Sequence, residues 1–353
     1  MQDTAALRSS LFLALAFVFY YAGFAQTPVK TVTVIGVGDM MLGTNYPSAN
    51  YLPANGGADM IGGMAEYLRQ ADVTFGNLEG TLLDGEGRVK RCGNPEVCYA
   101  FRSPESYAQH FSDAGFDLLS LANNHSGDFG PEGRRTTKAA LDRYGIAYAG
   151  LQGSDEQAVI TRDGIRYGFA AFAPNVGTVD VRDISNAKRI VAELATRSDI
   201  VVVSFHGGAE GASNQHVPRK TETYYGENRG NVHAFAHAVI DAGADVVFGH
   251  GPHVTRAMEL YKDRFIIYSL GNFCTYGRFN LRGAAGIAPV VKLELLTDGQ
   301  FITGEVVPVY QQKSHGPKAD PEKRAITKLN ELTKTDFPEA GIRVDAEGRL
   351  VRE

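Results

Sequence analysis

The chain has 353 residues, of which 44% are hydrophobic and 21% are charged. That balance is typical of a globular protein with a large core, and it excludes a disordered or fibrous chain. The net charge of −5 is spread without long runs of like charge, which argues against a nucleic-acid partner.

The N-terminal segment, residues 1–25, has the pattern of an export signal. Arg8 precedes the apolar run at 11–22, and small residues follow at the cleavage positions. A single uncleaved anchor is the alternative, because residues 9–29 carry no charge. In both cases we expect an extracytoplasmic protein, whether periplasmic, secreted or cell-surface, with membrane contact only through an uncleaved N terminus.

Strands and helices alternate along the rest of the chain. Apolar runs and turn residues predict strands at 30–38, 72–75, 116–122, 146–149, 165–174, 198–204, 245–248, 264–269, 290–296 and 301–310. Amphipathic stretches predict helices at 58–70, 104–114, 131–144, 183–197, 231–242 and 321–332. The alternation predicts an α/β fold with one main domain at 26–312 and a polar, partly helical tail at 313–353, which we expect to be peripheral.

The three cysteines fit an oxidising compartment. Cys92 and Cys98 flank a turn-rich stretch and predict a small loop disulfide. A metal-binding pair is the alternative, but no second cysteine pair or matching histidine spacing accompanies it. Cys274 follows an apolar strand and is interpreted as a buried, unreactive thiol.

Polar side chains recur where the predicted strands end. Ligands of open α/β sheets bind at the carboxyl ends of the strands, so we expect these side chains to converge on one edge. Carboxylates, an amide and several imidazoles form the ligand set of a divalent transition metal. The residues in question are Asp39, Glu79, Asn124, His125, His206, His250 and His253.

Several polar residues admit two interpretations. Asp39 is a site carboxylate or only a turn or cap residue, and Asp128 either orients His125 or caps the following helix. His233 and His237 lie four residues apart on a predicted helix, a spacing that can chelate zinc. Without the acid of a His-Glu motif between them, we interpret them as helix surface.

A long loop carries four basic residues: Arg88, Lys90, Arg91 and Arg102. They supply a local basic groove or, in the interpretation we favour, an ordinary solvated surface.

Six motifs in order give the chain a family resemblance. They lie at 36–43, 76–80, 121–130, 203–210, 249–254 and 268–273. This pattern resembles the CapA family of bacterial poly-γ-glutamate capsule-synthesis proteins, which is similar to the calcineurin-like metallophosphatases. The resemblance covers about residues 31 to 310. It implies a layered, metallophosphatase-like sandwich of mixed β-sheets flanked by helices.

The resemblance also implies roles for the strand-end residues. Asp39 would bind one metal, Glu79 would bridge or serve both, and His125 would act as general acid. The second metal would take Asn124 and His206, with His250 and His253 divided between the two metals. Second-rank candidates are Asn77, Glu210 and Asn272.

Met41 stands where the metallophosphatase pattern has a histidine ligand. One metal is therefore as compatible with the sequence as two, with manganese, zinc or iron as the expected ions.

The resemblance implies a metal-dependent hydrolase or transferase connected with capsule or exopolymer synthesis. The expected partners are an anionic exopolymer such as poly-γ-glutamate, or its precursor, and other capsule-synthesis proteins. The alternative is a catalytically inactive subunit that binds the polymer or helps to export it. The net acidity of the chain disfavours that alternative, because a polyglutamate chain prefers a basic groove.

Overall fold

The structure is a computed structural model that describes residues 30–91, 98–312 and 315–353. The predicted export signal or anchor lies outside the described residues, and so does Cys92 of the predicted Cys92–Cys98 disulfide. Cys274 is a free, buried thiol, as the sequence predicts. Within the described ranges, no helix is both long enough and apolar enough to cross a membrane.

The described residues form strands and helices in alternation through most of the chain. The strands are β1 (Thr31–Met41), β2 (Val73–Leu78), β3 (Thr81–Leu82), β4 (Arg102–Ser103), β5 (Leu118–Ser120), β6 (Ala147–Ala149), β7 (Gln157–Arg162), β8 (Ile165–Phe172), β9 (Ile200–His206), β10 (Glu222–Tyr224), β11 (Glu227–Gly230), β12 (Val246–His250), β13 (Met258–Tyr261), β14 (Arg264–Ile267), β15 (Asn272–Thr275), β16 (Ile287–Leu296), β17 (Phe301–Gln312), β18 (His315–Ala319), β19 (Ile342–Val344) and β20 (Arg349–Arg352). The helices are α1 (Asp59–Leu68), α2 (Tyr107–Ala114), α3 (Gly130–Arg143), α4 (Ile184–Ala195), α5 (Val232–Asp241) and α6 (Arg324–Asp336).

Two mixed sheets form the centre of the molecule. The larger sheet has the order β19-β20-β17-β16-β1-β2-β5-β6, with β15 paired to β1 and β18 paired to β17. Its β1-β2-β5-β6 half is parallel, whereas β16 and β17 run antiparallel. The smaller sheet has the order β13-β14-β12-β9-β8-β7, and its four inner strands are parallel.

The sheets pack face to face through aromatic side chains. The Phe75 ring of the larger sheet stacks on the Phe248 ring of the smaller sheet at a centroid distance of 5.3 Å, and it contacts the Phe169 ring at 5.4 Å. Apolar residues of α4 and α5 join this inter-sheet core, and those of α1, α2 and α3 cover the other face of the larger sheet. The α/β fold predicted from the sequence, a sandwich of mixed sheets flanked by helices, is confirmed.

The C-terminal tail is not peripheral, in contrast to our expectation. Strands β18 and β20 pair with β17, so the tail extends the larger sheet. Helix α6 buries Ile326, Leu329 and Leu332 in the inter-sheet core. The tail is polar on average, but these apolar residues recur at helical spacing and form one buried stripe.

Strand β1 is longer than predicted. The sequence analysis ends it before Asp39, whereas the strand continues to Met41 because β15 pairs along its last residues. Asp39 is therefore a strand residue, and its interpretation as a turn or cap residue is wrong. The register with β2 shifts between Gly36 and Asp39, and the register with β15 shifts just after Asp39. Such irregularities re-aim a side chain.

Candidate metal centre

The carboxyl ends of parallel strands from both sheets meet at the candidate site. In the larger sheet, Asp39 of β1 lies opposite Asn77 of β2 and Asn272 of β15. In the smaller sheet, His206 ends β9 directly beside His250, which ends β12. The side chains converge at strand ends, as the sequence predicts, but they come from two sheets rather than from one sheet edge.

Three buried side chains form a group able to hold a metal ion. Ligand atoms of Asp39, Glu79 and His206 all lie within 4.8 Å of one another. Each of the three side chains is almost fully excluded from solvent. Two carboxylates and an imidazole in a closed space are ligands that zinc, manganese and iron accept.

Two further histidines contact the Asp39 carboxylate. His250 Nδ1 lies 3.0 Å from Asp39 Oδ1, and His253 Nδ1 lies 2.9 Å from Asp39 Oδ2. The His253 ring also reaches Glu79, with Nε2 3.4 Å from Oε1. His253 adopts a φ of 57°, a left-handed conformation that is uncommon for a non-glycine residue. This backbone turn directs its ring between the two carboxylates.

Several buried oxygen and nitrogen atoms in this group, all able to coordinate a metal, have no hydrogen-bond partner among the described residues. They are both carboxylate oxygens of Glu79, both ring nitrogens of His206, and His250 Nε2. Asn124, the predicted ligand beside His125 in the chain, also has a buried, unpaired Oδ1. Buried polar atoms are almost always paired, so such a concentration of unpaired lone-pair atoms needs a cause. A divalent cation satisfies oxygen and imidazole lone pairs together, so the residues present fit the predicted metal.

Burial and charge shift the pKa values of the group in different directions. Burial lowers the pKa of His206 well below its ordinary value and raises that of Glu79 well above it. Burial also disfavours charge on Asp39, but hydrogen bonds from His250 and His253 outweigh it and lower the Asp39 pKa. For His253, burial is outweighed by the Glu79 and Asp39 carboxylates, which raise its pKa to about 10.

His125 lies at the edge of the group and is held by Asp128. Its Nδ1 donates to Asp128 Oδ2 at 2.8 Å, and its Nε2 lies 4.0 Å from Glu79 Oε1. Burial lowers the pKa of His125, although Asp128 opposes the shift. Helix α3 has no side-chain cap at its N terminus. Of the two interpretations of Asp128, the geometry therefore favours orientation of the imidazole over helix capping.

An amide network supports these residues; it contains the second-rank candidate Asn77 and also Asn123, which the sequence analysis missed. Asn123 donates to Asn77 Oδ1 at 3.0 Å and to the Leu78 carbonyl at 2.8 Å, and it accepts from the His125 backbone N–H. Asn77 in turn donates to Asp39 Oδ1 at 2.8 Å. Asn77 therefore orients a carboxylate, and Asn123 links the loop after β5 to the end of β2. Two adjacent asparagines in the sequence do not reveal which one turns inward.

The remaining second-rank candidates have structural partners. Glu210 pairs with the buried Arg229, another residue that the sequence analysis missed. Asn272 donates to the carbonyl oxygens of His253 and Ala285. Both residues therefore hold loops around the site.

The structure also places Met41 and the four basic residues of the long loop. Met41 is buried in β1 and offers no imidazole. Lys90 pairs with Asp128, and Arg102 donates to Asn45 and Gly85, so neither of these cations is available for a groove. Arg88 and Arg91 are exposed to solvent.

The histidine pair of α5 gains an acid from another strand. His233, His237 and Glu259 of β13 form a second group with metal-ligand spacing. His237 Nε2 lies 2.8 Å from Glu259 Oε1, and the Tyr268 hydroxyl donates to the same oxygen at 2.5 Å. These hydrogen bonds satisfy His237 and Glu259 without a ligand.

Comparison with known proteins identifies the family. The sequence matches the family described as bacterial capsule synthesis protein PGA_cap over residues 33–276. It is 29% identical over 276 residues to capsule biosynthesis protein CapA of Bacillus anthracis, and the match spans 70% of this chain but only 62% of that relative. It is also 29% identical over 282 residues to PGA biosynthesis protein CapA of Bacillus subtilis (strain 168), spanning 73% of this chain and 69% of that protein.

Among solved structures, a 5'-nucleotidase precursor from Thermus thermophilus is similar with a TM-score of 0.45 and 12% identity, over 82% of this chain and 56% of that one. All six sequence motifs lie inside the matched residues 33–276. The predicted resemblance to the CapA family is therefore confirmed, and the chain belongs to the bacterial capsule synthesis protein family PGA_cap.

Proposed function

We propose that this protein is an extracytoplasmic, metal-dependent hydrolase or transferase. It acts at a phosphoryl or amide centre of an anionic exopolymer such as poly-γ-glutamate, or of its precursor, alongside other capsule-synthesis proteins. The observation that carries the proposal is the convergence of Asp39, Glu79 and His206 within 4.8 Å. The relatives are named capsule and PGA biosynthesis proteins, which supports the choice of such a polymer as the substrate.

The donor group would hold the metal through Asp39, Glu79 and His206, with His250 and His253 beside them. A divalent ion bound there supplies a Lewis acid that polarises the target oxygen and activates water. Burial lowers the pKa of His206 and favours the neutral ring, so one of its ring nitrogens offers a lone pair for coordination. The amide network below Asp39 keeps the carboxylate from rotating away.

His125 would move the proton. Its Nδ1 is engaged with Asp128, so the neutral ring presents Nε2 as an acceptor towards Glu79. This nitrogen takes a proton from the attacking group and returns it to the departing oxygen or nitrogen. The low pKa of His125 favours the neutral ring, so protonation precedes the general-acid step.

Two histidine substitutions test the proposal. His206→Ala should lower both the metal content and the turnover of the purified protein. His125→Ala should keep the metal but reduce turnover by about 10²–10⁴-fold, the usual contribution of a general acid or base. The measurements are elemental analysis and turnover of a phosphomonoester, a phosphodiester and a γ-glutamyl anilide.

His110→Ala is the matched control, because His110 lies on α2 and its ring nitrogen bonds to the Gly56 carbonyl, outside the donor group. It should change neither quantity. Full metal content in His206→Ala would contradict the proposed ligand set. Stoichiometric metal without turnover of any of the three substrates would favour the alternative, a polymer-binding or export subunit without catalysis.

A further inference from the structure

A cleft of about 840 Å³ opens beside the candidate metal centre. Tyr51, Tyr99, Arg278, Phe279 and Arg282 line it. One wall is shared with the site: the Phe279 ring centroid lies 5.5 Å from that of His253 and 5.2 Å from that of Phe101. The Phe101 ring in turn contacts the His125 ring at 4.2 Å. A molecule in the cleft would therefore lie against side chains that touch the donor group.

Arg278 and Arg282 give the cleft its positive charge, and Arg278 is held by aromatic rings. Its guanidinium carbon lies 4.6 Å from the Tyr99 ring centroid and 5.5 Å from the Tyr51 ring centroid. In the part of the chain that the structure describes, no carboxylate pairs with Arg278 or with the nearby Arg282. The two rings restrain a half-buried guanidinium, and its donors remain available for an anion.

Other inner arginines are not available in this way. Arg229 pairs with Glu210 and Glu227, and the fully buried Arg256 forms two hydrogen bonds with Glu222. Arg278 of the cleft thus differs from these two arginines, whose guanidinium groups are already neutralised by carboxylates. The metal centre itself contains the Asp39 and Glu79 carboxylates, which repel an anionic chain unless a cation lies near its path.

We propose that this cleft binds a carboxylate-bearing chain with γ-glutamyl linkages and leads it to the metal centre. The inference rests on the proposed function and names its substrate class. Each γ-linked residue carries one carboxylate and one ethylene segment. Arg278 matches the carboxylate with paired N–H donors, and the faces of Tyr51, Tyr99 and Phe279 match the ethylene segments. A polyphosphate would use the guanidinium but offers nothing to the ring faces.

Binding of a γ-linked hexaglutamate to the purified protein, measured by calorimetry, tests the inference. Arg278→Ala should weaken binding by at least about tenfold, the loss expected when a charged hydrogen-bonding partner is removed. Arg278→Lys keeps the charge but loses the planar fork, so its affinity should lie between wild type and alanine. Arg282→Ala should have a smaller effect, because this side chain is exposed.

Arg197→Ala is the matched control. Arg197 is an exposed arginine after α4, before the amino end of β9 and thus away from the strand ends that form the site. It should bind like wild type. His206→Ala should also retain binding, because this affinity does not depend on the metal ligand. Loss of turnover with intact binding in that variant thus separates catalysis from substrate recognition.

Three results would overturn the inference. The first is wild-type affinity in an Arg278→Ala variant whose thermal unfolding curve shows that it is folded. The second is equal weakening by Arg197→Ala, which would indicate only a general charge effect. The third is an inorganic polyphosphate of equal charge that binds as tightly as the hexaglutamate, which would assign the cleft to a phosphate chain instead.

Discussion

Asp128 determines how His125 faces the donor group. Asp128 Oδ2 accepts from His125 Nδ1 and, at 2.6 Å, from the Phe101 backbone N–H, while Oδ1 lies 2.6 Å from Lys90 Nζ. The carboxylate is therefore held at both oxygens. Because the hydrogen bond occupies Nδ1, Nε2 is the nitrogen that faces Glu79. Asp128 is a positioning residue in this arrangement.

Asp128→Asn tests this positioning role. An amide can offer N–H as well as C=O to the imidazole, so the tautomer is no longer fixed. We expect kcat to fall by about tenfold to a hundredfold with metal content unchanged, and the pH profile of kcat to change shape. Steady-state kinetics across pH provide the measurement. Lys90→Ala, which removes only the ion pair at the other carboxylate oxygen, should lower kcat less. Equal losses of kcat in both variants would contradict the positioning role of Asp128.

Single residues illustrate what a sequence can predict about such a site. Asp39, Glu79 and His206 are predicted because each follows or ends a strongly apolar strand. The sequence does not predict Arg278, since it follows a short strand and its ring partners, Tyr51 and Tyr99, are distant in the chain. Distance in sequence hides such contacts, because only the fold brings the partners together.

At the scale of elements, periodicity decides which strands are predicted. β9 and β12 are mainly apolar up to their terminal histidines, and a glycine follows each strand, so their positions follow from the sequence. β13 and β15 have four residues each and show no clear period. β15 still matters for the site, because its pairing extends β1 past Asp39. Short strands of this kind form through partners that a local pattern does not contain.

Asp245, directly before β12, bonds to β9 and makes the free energy of unfolding depend on pH. Its side chain accepts from the Val201 backbone N–H at 2.8 Å and lies 2.9 Å from Arg264 Nε. Burial raises the pKa of Asp245 from 3.8 to about 6, although both partners oppose the shift. The folded state therefore binds more protons than the unfolded state between these pH values. Its stability should fall as pH rises through that interval.

Asp245→Asn should remove this contribution to the pH dependence. We expect the free energy of unfolding of the wild type, minus that of the variant, to fall by up to about 3 kcal/mol between pH ~4 and pH ~7. Urea unfolding at several pH values provides the measurement. Asp199→Asn is the opposite control, because hydrogen bonds from Arg166 lower the pKa of Asp199 to about 2. The free energy of unfolding of the wild type, relative to that of this variant, should therefore increase as pH rises towards ~4. An Asp245→Asn difference that does not vary with pH would contradict the assignment.

At the scale of the whole molecule, the site exists only where the two sheets meet. Asp39 and Glu79 come from the larger sheet and its loops, whereas His206 and His250 come from the smaller sheet. The stacked rings of Phe75 and Phe248 fix the position of one sheet against the other. The apolar periodicity of the sequence predicts the α/β class and the strand ends. The division into a sandwich of sheets is implied only by the family resemblance, because strand order depends on contacts between distant residues that a local pattern does not contain.

The tail shows how far the packed unit extends towards the C terminus. Leu329 of α6 is fully buried in the inter-sheet core, and Lys334 is exposed on the same helix. Leu329→Ala should lower the free energy of unfolding by about 2–5 kcal/mol, because it leaves a cavity in that core, whereas Lys334→Ala should change it by less than about 0.5 kcal/mol. Both variants should unfold in one cooperative transition in urea. A separate early transition in Leu329→Ala, with the main transition unchanged, would show that the tail unfolds independently of the sandwich.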